Sequence, residues 1–218
     1  MNIIAIIPAR SGSVRLKNKN KKKIKGISLV ERAIIFSKKV NFINDIVVST
    51  DDKRIIKRIK KYNFIKIFRR PHYLSVNTTK MIDVVYQILK KYEKSFKKVD
   101  GVLLLQPTSP YRSLSQVKFA FQKFKKFKKK MSIMSVSKTN NPEKKNFCIK
   151  NNRLIEDENI KKKNYFQANG NFYIASKFFL KKNKSFYYKG LTLPVVLNSK
   201  KLSIDIDNLK DFKKAKNF

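Results

Sequence analysis

The chain has 218 residues, 42% of them hydrophobic, which suffices for the core of one ordinary to large domain, here residues 1–218. No apolar run approaches the roughly 18 residues of a membrane span. The single cysteine, Cys148, excludes an intrachain disulfide, and the start lacks the charged region and cleavage site of a secretory signal, so a cytoplasmic protein with no membrane partner is expected. The formal net charge of +39 comes from lysines spread along the whole chain, beside abundant Asn, Ile and Phe and no Trp. Such a spread reads as compositional bias more than as a polyanion-binding tail, although the field still draws anionic substrates.

The predicted elements alternate. Ile3–Ile7 is a buried strand, followed by a polar loop to about Lys25. Ser28 caps a helix reaching about Val40, with Leu29, Ala33, Phe36 and Val40 at helical spacing. Asp45–Ser49 is a second strand, and Asp51 or Asp52 caps the next helix, with Ile55, Ile56 and Ile59 inward. Ile65–Phe68 is a third strand, and Thr78 or Thr79 opens a helix carrying Ile82, Val85, Ile88 and Leu89 on one face. Gly101–Leu105 is a strand. Ser113 and Gln116 have the spacing of a capping box ahead of a helix with Val117, Ala120, Phe121, Phe124 and Phe127 on its apolar side. Ser132–Ser137, Asn171–Ala175 and Leu193–Leu197 are later strands, and a short helix follows Asn208. Residues 138–165 turn polar and read as an excursion from the main sheet. The whole predicts an α/β, Rossmann-like fold, a mostly parallel sheet flanked by helices, with its ligand beyond the carboxyl ends of the strands.

Three segments carry chemistry. In Pro8-Ala9-Arg10-Ser11-Gly12-Ser13-Val14-Arg15-Leu16-Lys17-Asn18-Lys19-Asn20, Gly12 between serines lets the backbone approach a phosphate and the cations neutralise it. A solvated basic loop reads equally well, and neither Gly-Lys-Ser/Thr nor Gly-x-Gly-x-x-Gly is present. In Gln106-Pro107-Thr108-Ser109-Pro110-Tyr111-Arg112 two prolines stiffen a turn whose Gln, hydroxyls and Arg can read a base or sugar, or merely connect strand to helix. In Ser203-Ile204-Asp205-Ile206-Asp207, a strand puts both carboxylates on one side, where a hard cation such as Mg²⁺ relieves their repulsion. Among the arginines, Arg10, Arg15, Arg69, Arg70 and Arg112 fall just after predicted strands, and a guanidinium suits phosphate or carboxylate. His72 stands alone, and Cys148 has no activating neighbour in sequence.

Taken in order with Val47-Val48-Ser49-Thr50-Asp51-Asp52 and Asn169-Gly170, these segments make the chain resemble the acylneuraminate cytidylyltransferases nearly end to end. That family includes CMP-sialic acid synthetases and the enzymes activating legionaminic and pseudaminic acids. The resemblance implies a GT-A-like nucleotidyltransferase, usually a homodimer, here with 138–165 as the dimerisation excursion. It also implies transfer of CMP from CTP to the anomeric hydroxyl of a nine-carbon acidic 2-keto sugar, with Mg²⁺, releasing pyrophosphate. By motif, Arg10, Lys19 and Asp207 are implied as catalytic. The implied nucleotide site is Arg10, Ser11, Gly12, Ser13, Arg15, Lys19, Asn20, Arg70 and Thr78; the sugar site, Gln106, Asn169 and Tyr173; the metal ligands, Asp205 and Asp207. Departures stand at Val14, where the family has Lys, at the absent loop proline, and at Gln167-Ala168-Asn169-Gly170, where it has Arg-Pro-Asn-Gly. The last removes a cation expected near the sugar carboxylate, which Lys161–Lys163 can replace. The rival readings are a cytidylyltransferase for the eight-carbon lipopolysaccharide sugar and a basic nucleic-acid-binding protein.

Overall fold

A strand of Ile3, Ile4, Ala5, Ile6 and Ile7, apolar on both faces, is stable only in the middle of a covered sheet. The computed structural model describes residues 1–127, 130–139, 146–156 and 165–218, and it places β1 (Ile3–Pro8) there, fully buried. Parallel neighbours flank it, β4 (Asp45–Thr50) on one side and β6 (Gly101–Leu104) on the other, with β5 (Ile65–Arg69) beyond β4. Gly101 is required by the crowding: a Cβ there would lie 2.8 Å from Ile3 Cδ1 and 3.1 Å from the Ala175 carbonyl. Next to β6 lies the long β10 (Tyr165–Ser176), antiparallel to both β6 and β7 (Ser132–Thr139), and β11 (Thr192–Val196) closes that edge parallel to β7. The order is β11-β7-β10-β6-β1-β4-β5, so β10 alone runs against its companions on this path.

Helices cover both faces. One core joins the sheet to α1 (Leu29–Lys38) and α4 (Leu114–Lys126) through Val30, Ala33, Ile34, Val117, Ala120 and Phe124. The opposite core seats α3 (Met81–Ser95) and α5 (Lys177–Asn183) through Val84, Val85, Ile88, Leu89, Phe179 and Leu180. A small third cluster of Leu16, Ile24, Leu29, Tyr111, Ile206 and Ala215 ties the N-terminal loop to α6 (Leu209–Lys216). No helix among the described residues is long and apolar enough to cross a membrane.

Helix starts follow side-chain chemistry where the sequence offers it. Ser28 and Glu31 form a capping box on α1, and Asp52 accepts from the N–H groups of Arg54 and Ile55 at the start of α2 (Lys53–Ile59). Ser113 accepts from Gln116 N, the first half of the expected box. The expected cap on α3 is corrected: residues 77–78 are spent in a turn, Lys80 holds the cap position without a side-chain bond, and the helix begins at Met81. Residues 203–207 are also corrected: they form no ladder strand, because the chain there leaves the sheet, with Ser203 N bonded to Ser199 O in a local turn and Ile206 N to Thr108 O (2.9 Å). The predicted polar loop holds a short hairpin, β2 (Lys23–Ile24) with β3 (Ile27–Ser28). Of the excursion, β8 (Phe147–Lys150) and β9 (Arg153–Glu156) form a hairpin set against β10 at Phe166; residues 140–145 and 157–164, with Lys161–Lys163, lie outside the described residues.

Candidate active site

The carboxyl ends of β1, β4, β5 and β6 lie at one edge of the sheet, as parallel neighbours must, and the segments after β1, β5 and β6 build a hollow of about 470 Å³. Its walls include Arg10, Ser13, Val14, Arg15, Lys19 and Asn20 from the first loop, Arg70, Asn77 and Met81 from the third, and Gln106, Pro107 and Thr108 from the fourth. No carboxylate lines it, so the hollow presents cations and amides to whatever enters, which suits a polyanion.

Each cation is held in place. Arg10 Nη1 donates to the Gly12 carbonyl at 2.8 Å and to the Ser75 carbonyl at 3.4 Å, bridging the first and third loops. Arg70 is 4% exposed and gives Nε and Nη2 to the Ser49 hydroxyl and carbonyl at 3.1 and 3.0 Å. Burial, with the nearby Arg10, pushes its guanidinium down to about 10 against the opposing pull of Asp51. Asn20 Nδ2 donates to the Arg10 carbonyl at 2.9 Å, so the loop is closed at its base. Lys19 Nζ meets Asp207 at 3.2 Å, and Arg15 meets the other oxygen of the same carboxylate at 3.5 Å. The two ends of the chain thus meet over the site.

Ser11 and Gly12 stand apart from these walls. Ser11 is exposed, and its N–H and hydroxyl both go to Asp51. Thr78 is exposed on its turn; Asn77 and Met81 face the hollow from that stretch.

A second, polar hollow of about 260 Å³ lies beyond Gln106, lined by Ser137, Lys138, Thr139, Gln167, Asn169, Asp205, Asp211 and Lys214 among others. Gln106 of the first hollow packs against Gly170, the neighbour in sequence of Asn169 in the second. Gly170 has φ +68° and sits so close that a Cβ would fall 2.8 Å from Gln106 Oε1, so any side chain there is strained. The β10 register breaks here, between Ala168 and Tyr173. Asn169 is 3% exposed, its Oδ1 accepting from Ser135 Oγ (2.6 Å) and Asn171 N (3.2 Å), its carbonyl from Ser109 Oγ (2.6 Å). Tyr173 is buried beneath, its hydroxyl accepting from Gly170 N at 3.1 Å. Burial, with the charge of Asp205, pushes that phenol well above its ordinary value. Asp205 and Asp207 therefore have different surroundings: Asp205 lies beside Tyr173 in the second hollow, Asp207 against Lys19 and Arg15. Among the described residues, no group of three or more His, Cys, Asp or Glu comes together.

Arg112 points inward rather than toward a ligand. It donates to the carbonyls of Gln106 and Asn171 (2.8 Å for the latter), bracing the proline-rich loop against β10, and burial pushes it down to about 9. Its sequence position announces a cation near the site; only packing shows that it serves the backbone. The part of Asp51 in the first loop carried no sequence signal that separated it from Asp52.

Parallel strands delivering cation-bearing loops to one edge, with an antiparallel strand completing the far side, make the arrangement of an α/β nucleotide-binding fold. The cytidylyltransferase family model matches residues 4–215. The chain belongs to that family and is a nucleotidyltransferase. It is 34% identical to a CMP-N,N'-diacetyllegionaminic acid synthase of Legionella pneumophila, over 97% of this chain and 94% of that one. A second CMP-N,N'-diacetyllegionaminic acid synthase, from Campylobacter jejuni, is 28% identical over 97% of this chain and 92% of its own. In fold the chain is similar to a CMP:2-keto-3-deoxy-manno-octonic acid synthetase complexed with CTP, at TM-score 0.79 and 15% identity, covering 100% of this chain and 98% of that one.

Proposed function

We propose that the chain transfers CMP from CTP to the anomeric hydroxyl of a nine-carbon acidic 2-keto sugar of the legionaminic, pseudaminic or sialic type, releasing pyrophosphate. The observation that carries this reading is the carboxylate-free hollow in which Arg10, Arg15, Lys19 and Arg70 meet Gln106, with the polar second hollow next door. The sugar class is supported by the names of the relatives that match along nearly the full chain.

In this reading Arg10, Lys19 and Arg70 hold the triphosphate, Arg15 and Ser13 flank it, and Asn20 fixes the loop's base. Gln106 and Asn169 orient the sugar. Tyr173 acts from below by holding the Gly170 backbone. The sugar hydroxyl attacks the α-phosphorus in line, the bond to the β-phosphate oxygen breaks, and the anomeric proton passes to a carboxylate, for which Asp207 stands nearest the phosphate-binding cations. Positioning and charge stabilisation by these groups supply most of the acceleration.

In this reading Asp207, beside the phosphate-binding cations, would hold Mg²⁺, which takes one or two carboxylates and fills its remaining positions with phosphate oxygens and water, and Asp205 would reach the same ion from the second hollow. When bound, it would neutralise developing phosphate charge. Asp207 would then exchange its contacts with Lys19 and Arg15, freeing both cations for CTP. The same reading takes the chain as a cytoplasmic homodimer.

The test is pyrophosphate release from CTP with Mg²⁺ and a panel of acidic sugars. Release with at least one nine-carbon 2-keto acid supports the proposal; release only with the eight-carbon acid moves the chain to that substrate, and none with any acid refutes it.

A further inference from the structure

The pair Asp51-Asp52 at the end of β4 divides its labour. Asp52 caps α2 and also takes Lys21 Nζ at 2.7 Å. Burial raises its carboxyl, but the Lys21 hydrogen bond and the Arg54 and Ile55 N–H groups outweigh that and hold it below its usual value. Asp51 turns the other way: one oxygen accepts from Ser11 N at 2.8 Å and the other from the Ser11 hydroxyl. The chain from Ser11 to Lys21 is therefore fastened at its two ends to adjacent residues of one strand terminus. Between the fastenings, Asn20 bonds back to Arg10, and Ser13, Arg15 and Lys19 face the hollow.

From this geometry we infer that Asp51 is a positioning residue for the nucleotide. A double acceptor on Ser11 fixes the chain one residue after Arg10, so the direction in which Arg10 enters the hollow follows from it. The loop has few apolar anchors of its own; of residues 10–18 only Leu16 is buried. Asp51 also offsets, at Arg70, part of the repulsion from Arg10. Asp52, through Lys21, fastens the return limb without touching the hollow.

This inference rests on the hollow being the CTP site, and its test separates the two claims. Hydrogen exchange over residues 10–20, thermal midpoint, calorimetric CTP affinity and steady-state kinetics are measured for the parent chain, Asp51→Ala and Asp51→Asn. Asp51→Ala is expected to raise loop exchange and to raise the KM for CTP about tenfold, with the midpoint, the sugar KM and exchange in the rest of the sheet unchanged. Asp51→Asn still offers an acceptor to Ser11 N and a partner to its hydroxyl, and it should restore loop protection and most of the CTP affinity. Unchanged loop exchange in Asp51→Ala overturns the inference. So does a fall in the midpoint with exchange raised throughout, since that marks Asp51 as general scaffolding. If the parent chain binds no CTP, the functional reading falls, and loop exchange still decides the fastening.

Discussion

The two halves of the site are held by different kinds of bond. On the nucleotide side, besides the bonds of Arg10, Arg70 and Asn20 to carbonyls and a hydroxyl, several ties end on a carboxylate: Asp51 to Ser11, Asp52 to Lys21, Asp207 to Lys19 and Arg15, and, in α1, Glu31 to Lys61 and Ser28. On the sugar side, the ties around Asn169, Gly170 and Asn171 are hydroxyl and amide bonds to neutral groups, with Arg112 serving two carbonyls. A charged tie can be exchanged for a charged ligand at little net loss. A buried neutral network leaves an orphaned polar atom when one member goes. If the proposed function holds, the nucleotide half would open for a triphosphate and the sugar half would keep one shape.

The sharpest attack on this contrast is at Asp207, where the exchange is proposed to occur. Asp207→Asn should lower kcat by about a thousandfold or more while the thermal midpoint holds, because the amide neither binds Mg²⁺ well nor accepts the anomeric proton. Near-parent turnover with Mg²⁺ would remove Asp207 from the chemistry and leave its ion pairs structural. Lys19→Ala comes next: loss of one cation on the triphosphate should cut kcat/KM for CTP by about a hundredfold, with the sugar KM unaffected. An equal loss for both substrates would show that the two halves are not separable.

The neutral half is probed at Arg112. Arg112→Lys keeps the charge but cannot fork to two carbonyls, so the seam between Gln106 and β10 should loosen. A rise of about tenfold in the sugar KM is expected, with the CTP KM unchanged; the reverse pattern would place Arg112 on the nucleotide side.

The same contrast explains what was legible in the sequence. The parallel strands announce themselves as apolar runs, and α1 and α4 by their caps, because local chemistry and tertiary role agree there. The sequence reads as β10 only over Asn171–Ala175, since Gln167 and Asn169 do not resemble strand interior until their partners Asn146 and Ser135 are seen. The short α5 has too few turns for periodicity to show. The aspartate pair 205 and 207 was legible as a feature but not as a geometry, because a strand was assumed where the chain instead leaves the sheet. Which of Asp51 and Asp52 caps a helix depends on where Ser11 and Lys21 lie, and that is a tertiary fact.

The smallest expected effect tests the charged half without touching substrate contacts. Glu31 is buried in α1, which raises its carboxyl, but Lys61, Ser28 and the cap N–H outweigh burial and hold it at about 2. A lowered folded value means that the contribution to stability is present above the ordinary value of 4.5 and lost as pH falls from there toward about 2. Because Lys61 is largely solvent-exposed and screened, the contribution should be roughly 1 kcal/mol, well short of the full shift. Denaturant unfolding at stepped pH should therefore weaken across that window in the parent chain and show a shallower decline in Glu31→Gln. Hydrogen exchange at low pH should rise first over residues 10–31 and 51–61, ahead of 106–112 and 169–176, whose named ties carry no carboxylate. Simultaneous loss of protection in both halves would mean that the sheet transmits the acid transition as one unit, and the division between exchangeable and fixed halves would then hold for ligands but not for protons.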